Sequence, residues 1–182
     1  MELKLWILNK KQKDKYGPSE IVMTNELETE ELLENMIVDN PELLESDLKL
    51  IGRQTPASGG ALDLLAIDKD GNFVIFELKK GKLVREAVSQ IIDYASFLTD
   101  LDTVSLSKHI SDCSGTKGVD EIEDFESWYQ EQFSKEIEEI KENPPRMTLV
   151  GLGYDEKVER MVKFLANSGL NIKKIEGSGL HI

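Results

Sequence analysis

Residues 61–80, ALDLLAIDKDGNFVIFELKK, restrict the possible fold more than any other stretch of this chain. The triplet KDG at 69–71 suits a three-residue hairpin loop, in which a type I turn ends in a glycine with left-handed backbone. Such a loop closes the hairpin with Asp68 opposite Asn72. The stretch therefore predicts two antiparallel strands whose register is fixed by the turn.

The predicted register brings two carboxylates together. Counting back from the turn places Asp63 opposite Glu77, and directly paired residues have Cβ atoms about 5 Å apart. Lys79 lies on the same strand face as Glu77, while Leu78 lies on the other. Two carboxylates this close repel each other, and one is driven toward protonation unless a cation lies between them. The hairpin therefore predicts a metal site.

The alternative interpretation of these charges is a solvated strand face with an incidental ion pair. Phe73 and Ile75 share a face with Glu77 and Lys79, so the charged residues end an otherwise apolar row. This placement is typical of a site at the edge of a hydrophobic core, and it favours the metal site.

Composition narrows the chemistry of such a site. The single cysteine, Cys113, cannot form a multi-cysteine zinc site, and His109 and His181 are far apart in the sequence. Oxygen ligands remain, and these indicate Mg²⁺ or Mn²⁺. The sequence has no apolar run of membrane-spanning length and no secretory signal, so we expect a soluble, cytoplasmic protein without membrane contact.

Charge is distributed unevenly along the chain. The formal net charge is −13, which argues against nucleic-acid binding by bulk electrostatics. Residues 118–142 hold ten acidic and two basic side chains and so account for −8 of this total. Lysines and an arginine at 79, 80, 82 and 85 form a local basic patch beside the predicted site. A solvated surface is the alternative meaning of that patch.

A predicted helix before the hairpin carries two unusually placed glutamates. Leu33, Met36 and Ile37 define its apolar arc, and Glu30 and Glu34 fall inside that arc. An ionised carboxylate facing a core costs several kcal/mol unless a partner compensates it. A metal site or a basic side chain would compensate them. Alternatively, both glutamates lie at the rim of the helix and reach water.

The helix after the hairpin places Gln90 and Tyr94 on one face, because they are four residues apart. Their side chains could hydrogen-bond a phosphate or hold the lysine in place. An ordinary exposed flank is the alternative, and spacing alone favours it.

The order of helix, three strands, helix and strand predicts a mixed α/β domain with helices packed on one central sheet. We expect a single domain over 1–182, with a core at about 26–100, an acidic helical insert at about 101–143 and a C-terminal β-α-β unit at about 146–176. Beside the hairpin, we predict strands at 1–8, 19–24, 48–54, 147–153 and 170–175, and helices at 26–39, 83–98, 104–113, 124–141 and 155–169.

These residues resemble the PD-(D/E)XK nuclease superfamily, whose signature is an acidic residue in one strand and an acid-x-lysine triplet in the next. Here Asp63 and the triplet ELK at 77–79 match it. A glutamate in the preceding helix and a glutamine followed four residues later by tyrosine occur in several branches. The segments GGALDLLAIDKDG, ELKKG and SQIIDYASFL are most similar to the catalytic domain of the NucS/EndoMS endonucleases, over about residues 26–100.

The resemblance is incomplete in two ways. Leu62 stands where the signature has proline. The similar endonucleases also carry a separate N-terminal DNA-binding and dimerisation domain, whereas about 25 residues precede the first predicted helix here, so mismatch or flap specificity does not carry over. The carboxylate in the helix is either Glu30 or Glu34. Glu30 is favoured, because its distance from Asp63 is more similar to that in this branch of the superfamily.

The resemblance implies a restriction-endonuclease-like core, made of a helix, a three-stranded antiparallel β-meander, a second helix and a further strand. It also implies metal-dependent hydrolysis of a phosphodiester. Asp63, Glu77 and the Leu78 carbonyl would bind Mg²⁺ or Mn²⁺. Lys79 would orient the nucleophile and offset the charge that develops on the phosphoryl oxygens.

The remaining residues receive supporting roles from the same resemblance. Glu30 would hold outer-sphere waters or a second ion. Gln90 and Tyr94 would position the lysine and a substrate phosphate. Arg53, or the basic cluster that begins at Lys80, would contact the nucleic-acid backbone.

We therefore expect a DNA endonuclease of a repair, restriction or defence system, acting on single-stranded or branched DNA. A second copy of the chain or a separate DNA-binding subunit would supply the missing positive surface. One alternative is a catalytically silent module with a nuclease fold that binds nucleic acid or a protein partner. Another is an assembly role for the acidic helix at 124–141.

Overall fold

The protein is a mixed α/β structure, as the order of its elements predicts. The computed structural model describes residues 8–12, 15–18, 30–57, 60–116, 118–136 and 144–176. Its helices are α1 (Glu30–Asp39), α2 (Arg85–Asp100), α3 (Thr103–Cys113), α4 (Phe125–Phe133) and α5 (Glu156–Asn167), with a short 3-10 helix at Pro41–Leu43. Its strands are β1 (Leu8–Gln12), β2 (Lys15–Pro18), β3 (Lys49–Ala57), β4 (Gly60–Ile67), β5 (Phe73–Leu78), β6 (Lys82–Leu83), β7 (Arg146–Gly151), β8 (Gly153–Tyr154) and β9 (Ile172–Glu176).

One five-stranded sheet organises the molecule, with strand order β3-β4-β5-β7-β9. β3, β4 and β5 pair antiparallel, whereas β7 joins β5, and β9 joins β7, in parallel. The short strands form two further pairs, β1 with β2 and β6 with β8. None of the described helices combines the length and the apolar character that crossing a membrane requires.

The turn between β4 and β5 has the predicted geometry. The Asp68 N–H donates to the Asn72 carbonyl at 3.1 Å, and the Gly71 N–H donates to the Asp68 carbonyl at 3.1 Å. Gly71 has φ of 76°, a left-handed conformation that glycine adopts without steric cost. The Asp68 side chain also accepts hydrogen bonds from the Asn72 backbone and side chain, which adds support to the turn.

The register of β4 and β5 is also as predicted. Leu64 pairs with Phe76, and each step toward the turn keeps the same sum of residue numbers. The paired residues of the two strands run only as far as Leu64 and Phe76, and the same count extended by one step would set Asp63 opposite Glu77. The hairpin therefore brings Asp63, in the middle of β4, near Glu77 at the end of β5.

Hydrophobic side chains cover both faces of the sheet. On one face, Phe73, Ile75 and Leu149 pack against α2 to α5 in a large cluster. On the other face, Phe76 and Leu78 pack with apolar residues of α1 and the 3-10 helix in a smaller cluster. The sheet is therefore buried on both sides, which fixes the relative placement of α1 and α2 on either side of the hairpin.

Strand β3 is longer than predicted, because it continues through Pro56 to Ala57 instead of ending at Gln54. The glycine-containing segment TPASGG at 55–60 predicts a loop here, but Pro56, which lacks a backbone N–H, is part of the strand. β3 lies at the edge of the sheet, where a missing donor on the open side is tolerated.

Two other predicted boundaries are wrong. α4 ends at Phe133 rather than at residue 141, because Ser134 adopts left-handed backbone with φ of 53° and its N–H caps the Gln130 carbonyl. Segment 8–12, which lies almost wholly between the strands predicted at 1–8 and 19–24, forms β1. The predicted strand at 19–24, and most of the one at 1–8, lie outside the described residues.

Candidate active site

The candidate site lies between α1 and α2, where the C-terminal end of β5 adjoins the middle of β4. The two Asp63 carboxylate oxygens have different partners: Oδ2 accepts from the Leu78 N–H at 2.7 Å, and Oδ1 accepts from the Gln54 side-chain amide at 3.1 Å. The Lys79 N–H donates to the Val150 carbonyl at 2.8 Å, so β7 holds the chain just beyond the end of β5. Backbone hydrogen bonds therefore fix the groups around Asp63.

Lys79 connects the acidic residues of the site. Its Nζ lies 2.7 Å from Glu77 Oε1 and 4.0 Å from Glu30 Oε2. The structure thus brings Glu30, from the helix that precedes the hairpin in the sequence, close to Asp63, Glu77 and Lys79, and all four are residues that the sequence predicts for the site.

Glu77 is the most deeply buried of these groups, with 1% of its surface exposed. Its Oε2 is buried and has no hydrogen-bond partner among the described residues. Burial, followed by the charge of Asp63, raises the pKa of Glu77 to about 7 against the opposing effect of Lys79. Its carboxyl group is therefore poised between its charged and neutral forms near neutral pH.

The pKa values of the two neighbouring groups are also raised. Burial raises the pKa of Asp63, although the Leu78 N–H and Lys79 oppose this change. Burial lowers the pKa of Lys79, but the hydrogen bond and charge of Glu77 outweigh burial and raise it overall. Lys79 therefore keeps its positive charge, whereas the half-buried Asp63 and the buried Glu77 carry their negative charges at a cost in free energy.

The raised pKa of Glu77 predicts a specific pH dependence of stability. The folded state holds this proton up to about pH 7, whereas the unfolded chain releases it near pH 4.5. The stabilisation is therefore complete below pH 4.5 and is lost as the pH rises to 7. Relative to Glu77→Gln, the free energy of unfolding of the parent should fall by about 3 kcal/mol across this window.

Urea denaturation of both proteins in the presence of a chelator measures this difference. Subtracting the variant removes the contributions of the other titrating groups. A difference that stays constant from pH 4.5 to 7 would show that Glu77 is ionised normally in the folded protein.

Glu34 has a different environment from Glu30. Glu34 is buried, and its two oxygens accept hydrogen bonds from Arg53 Nε at 3.0 Å and from the Gln54 amide at 2.8 Å. Glu30 is the first described residue of α1 and has a side chain that is 46% exposed. A basic side chain thus compensates Glu34, as expected for a core-facing carboxylate, whereas Glu30 lies at the rim.

Of the basic residues nominated for substrate contact, Arg53 is buried and Lys80 is exposed. The Arg53 guanidinium donates to Glu34 and, through Nη2, to Asn35 at 2.8 Å. These contacts tie α1 to β3, and they favour a structural role for Arg53 over contact with a nucleic-acid backbone. Lys80 directly follows Lys79 and has the exposure that such contact requires.

Gln90 and Tyr94 lie beside the site, but they differ in exposure. Tyr94 is buried, and its hydroxyl donates to the Ala61 carbonyl at 2.9 Å. Burial, then the charges of Glu77 and Asp63, raises its pKa, whereas a hydrogen bond from the exposed Gln90 lowers it. The pair is therefore not the ordinary exposed flank that spacing favoured, since Tyr94 holds the start of β4 just before Asp63.

A cleft of about 800 Å³ opens beside Asp63, between α1 and β3. Most of its ionisable lining is acidic, and Gly118 of the α3–α4 connection contributes to its wall. Its lining residues are Glu30, Glu31, Glu34, Asn35, Val38, Asp39, Arg53, Gln54, Asp63 and Gly118.

The donor groups at this site fit a hard divalent cation. Glu77 offers a buried oxygen without a partner, and Asp63 is the nearby carboxylate that makes ionisation of Glu77 costly. No group of three or more His, Cys, Asp or Glu side chains suited to a metal occurs in the part of the chain that the structure describes. Two carboxylates would therefore need a backbone carbonyl, such as that of Leu78, and water to complete an oxygen shell.

Gln54 is the site residue that the sequence did not nominate. In the register of the neighbouring strands β3 and β4, Gln54 lies opposite Asp63. Its side-chain amide donates hydrogen bonds to Asp63 and to Glu34. The only signal for it in the sequence is a polar pair, Arg53-Gln54, inside an otherwise strand-like segment.

Part of the chain matches a known family. Residues 29–110 match the family described as the Endonuclease NucS C-terminal domain. Endonuclease NucS of Pyrococcus abyssi is 41% identical over 66 residues, which are 36% of this chain and 26% of that protein. Endonuclease NucS of Sulfolobus acidocaldarius is 34% identical over 67 residues, which are 37% of this chain and 27% of that protein. The chain therefore matches about a quarter of the length of these relatives.

Solved structures show a similar fold over more of the chain. A repair endonuclease from Pyrococcus abyssi superposes with a TM-score of 0.51 and 26% identity, covering 83% of this chain and 48% of that one. An EndoMS–dsDNA complex gives a TM-score of 0.50 at 21% identity, covering 89% of this chain and 51% of that one. The second similarity is one of fold alone. In both comparisons the chain corresponds to about half of the solved protein.

Proposed function

We propose that this protein is a Mg²⁺- or Mn²⁺-dependent DNA endonuclease of the PD-(D/E)XK type, acting in repair, restriction or defence. The observation that carries the proposal is the buried Glu77, which is near enough to Asp63 to feel its charge and contacts Lys79 at 2.7 Å. The match of residues 29–110 to a NucS endonuclease domain supports the same chemistry. The order α1, β3 to β5, α2 and β7 also agrees with a restriction-endonuclease-like core.

In this proposal Asp63, Glu77 and the Leu78 carbonyl hold the metal ion. When bound, the ion would polarise the scissile phosphate and acidify a water molecule. Asp63 can serve as a ligand without large movement, because the Leu78 N–H and Gln54 already fix its orientation. Glu77 contributes the buried oxygen that has no partner among the described groups.

Lys79 supplies positive charge where negative charge develops on the phosphate. Its raised pKa keeps the ammonium group charged, and Glu77 and Glu30 hold it near the two carboxylates. A fixed cation in a partly dehydrated site stabilises such charge more strongly than water does. Lys79 can also donate a hydrogen bond that orients the attacking water.

The surrounding residues have supporting roles in this proposal. Glu30 would hold outer-sphere water or a second ion, as expected for an exposed carboxylate at the rim. Gln90 is exposed and could reach a substrate phosphate, whereas Tyr94 would act through its hydrogen bond to Ala61. Lys80 would contact the DNA backbone.

The electrostatics of the site restrict how DNA could approach. The cleft beside Asp63 is lined by carboxylates, which repel a polyanion. Lys80 and Lys82 follow Lys79 in the chain, are exposed and are not part of the cleft lining, so DNA would approach over these residues. Single-stranded or branched DNA is the proposed substrate, with a second copy of the chain or a separate subunit providing further positive surface.

Cleavage assays on purified protein test the proposal. Single-stranded, duplex and branched DNA should be incubated with Mg²⁺ or Mn²⁺, and in parallel with chelator. We expect metal-dependent cutting of at least one DNA. Metal-dependent DNA binding without cutting would instead indicate a catalytically silent binding module, and the absence of both would reject a nucleic-acid function for this site.

The two candidate helical carboxylates should respond differently to substitution. Glu30→Gln should lower the cleavage rate by about 10- to 100-fold with little change in stability, since Glu30 is partly exposed and near Lys79. Glu34→Gln should lower the free energy of unfolding by about 3 kcal/mol, because Arg53 then loses its buried partner.

Cleavage rates and urea denaturation of both variants measure these effects. Glu31→Gln is the matched control, because Glu31 is an exposed neighbour on the same helix turn. An unchanged cleavage rate in Glu30→Gln would remove that residue from the mechanism.

A further inference from the structure

Gln54 has a backbone conformation that is unusual for its position. Its φ is 50°, in the left-handed region, although it lies in the interior of the nine-residue strand β3. A residue other than glycine that is held in this region carries strain, and such residues concentrate at functional sites.

Next to this strained residue, the side chains of β4 change the hydrophobic cluster into which they pack. Leu62 and Leu64 are two residues apart, so a regular strand would place both on one face. Instead, Leu62 packs in the cluster against α2 and Leu64 in the cluster against α1. Asp63 lies between them, directly opposite Gln54 in the register of β3 and β4. The distortion therefore occurs at the pair formed by Gln54 and Asp63.

The side chain of Gln54 uses this conformation to contact two carboxylates. Its Nε2 donates to Glu34 Oε1 at 2.8 Å and to Asp63 Oδ1 at 3.1 Å. Arg53 holds the other oxygen of Glu34, and the Leu78 N–H holds the other oxygen of Asp63. A continuous row of hydrogen bonds thus links the buried ion pair on α1 and β3 to the Asp63 carboxylate.

We propose that Gln54 is a positioning residue, whose strained backbone aims its amide so that the Asp63 carboxylate is held in the orientation needed for catalysis. Glu34 serves as the anchor of this amide, since its own charge is compensated by Arg53. The inference rests on the proposed function for its catalytic consequence, but the positioning itself is independent of substrate and metal.

The first test observes the position of Asp63 without DNA or metal. Gln54→Met keeps nearly the same side-chain length, but it removes the amide. In a ¹⁵N–¹H spectrum recorded with chelator, the Leu78 amide resonance should move, because the Asp63 oxygen that accepts its proton is no longer fixed. Hydrogen exchange of this amide should become about tenfold faster. Gln130→Met makes the same chemical change at an exposed position on α4 and should affect neither quantity.

The second test separates positioning from a general structural role. Gln54→Met should lower kcat for DNA cleavage by about 10- to 100-fold with KM changed less than about threefold, while Tm should fall less than in Glu34→Gln, because Arg53 still pairs with Glu34. A fall in Tm as large as that of Glu34→Gln would overturn the inference, as would an unchanged Leu78 amide. If the parent protein cuts no DNA, the proposed function fails, and the Leu78 amide alone then decides whether Gln54 positions Asp63.

Discussion

Replacing Asp63 with asparagine should lower metal-dependent DNA cleavage by about 10³-fold or more while the protein remains folded. Asparagine keeps an oxygen that can accept the Leu78 N–H, so the end of the hairpin should stay in place. What it loses is one of the two charges that would bind the ion. The affinity for Mn²⁺, measured by calorimetry, should fall together with the cleavage rate.

Asp70→Asn is the matched control for this substitution. Asp70 lies at the exposed tip of the same hairpin and contacts Lys135 at 3.2 Å. An exposed ion pair of this kind contributes less than about 1 kcal/mol to stability. Cleavage should therefore match that of the parent. Cleavage by Asp63→Asn within about tenfold of the parent rate would place the active site elsewhere.

Replacing Lys79 with methionine should lower the cleavage rate by about 10² to 10³-fold but leave Mn²⁺ binding intact. The positive charge near the phosphate is lost, while both acidic ligands remain. This result would separate the role of Lys79 in the reaction from the role of Asp63 in holding the ion. Measurements of cleavage rate and calorimetric affinity on the same preparation distinguish the two variants.

Lys135→Met removes the same charge from an exposed lysine that follows α4 and contacts the hairpin tip, and it serves as the control. Lys79→Met also leaves Glu77 without its cationic partner, which should reduce stability. The double variant Glu77→Gln/Lys79→Met should recover that loss, because no unpaired charge is then buried. Equal losses of Mn²⁺ affinity in Lys79→Met and Asp63→Asn would contradict separate roles.

The hairpin could be predicted in detail because its determinants are local. Residues 69–71 select the turn, and the turn sets the register that brings Asp63 near Glu77. The prediction that Glu30 lies near Lys79 depended instead on the resemblance to nucleases. Spacing on one helix shows which residues share a face, but it does not show which strand that face contacts.

The network around Glu34 could not be predicted for the same reason. Its partners Arg53 and Gln54 lie nineteen and twenty residues away, on a strand whose pairing is a tertiary property. The left-handed backbone of Gln54 has no signal in residue type, since glutamine has no preference for that region. The end of α4 was missed likewise, because Ser134 adopts left-handed backbone where a glycine would have been the expected signal.

The buried Glu77 has a consequence for how the chain would change over generations. Its charge lowers the stability of the folded protein near neutral pH, so substitutions that neutralise it would relieve that cost. Random substitution, filtered only for folding, would therefore tend to replace this residue with a neutral one. A chain that retains Glu77 is less stable at neutral pH than one with a neutral residue at this position. A function that requires the charged carboxylate would account for its retention.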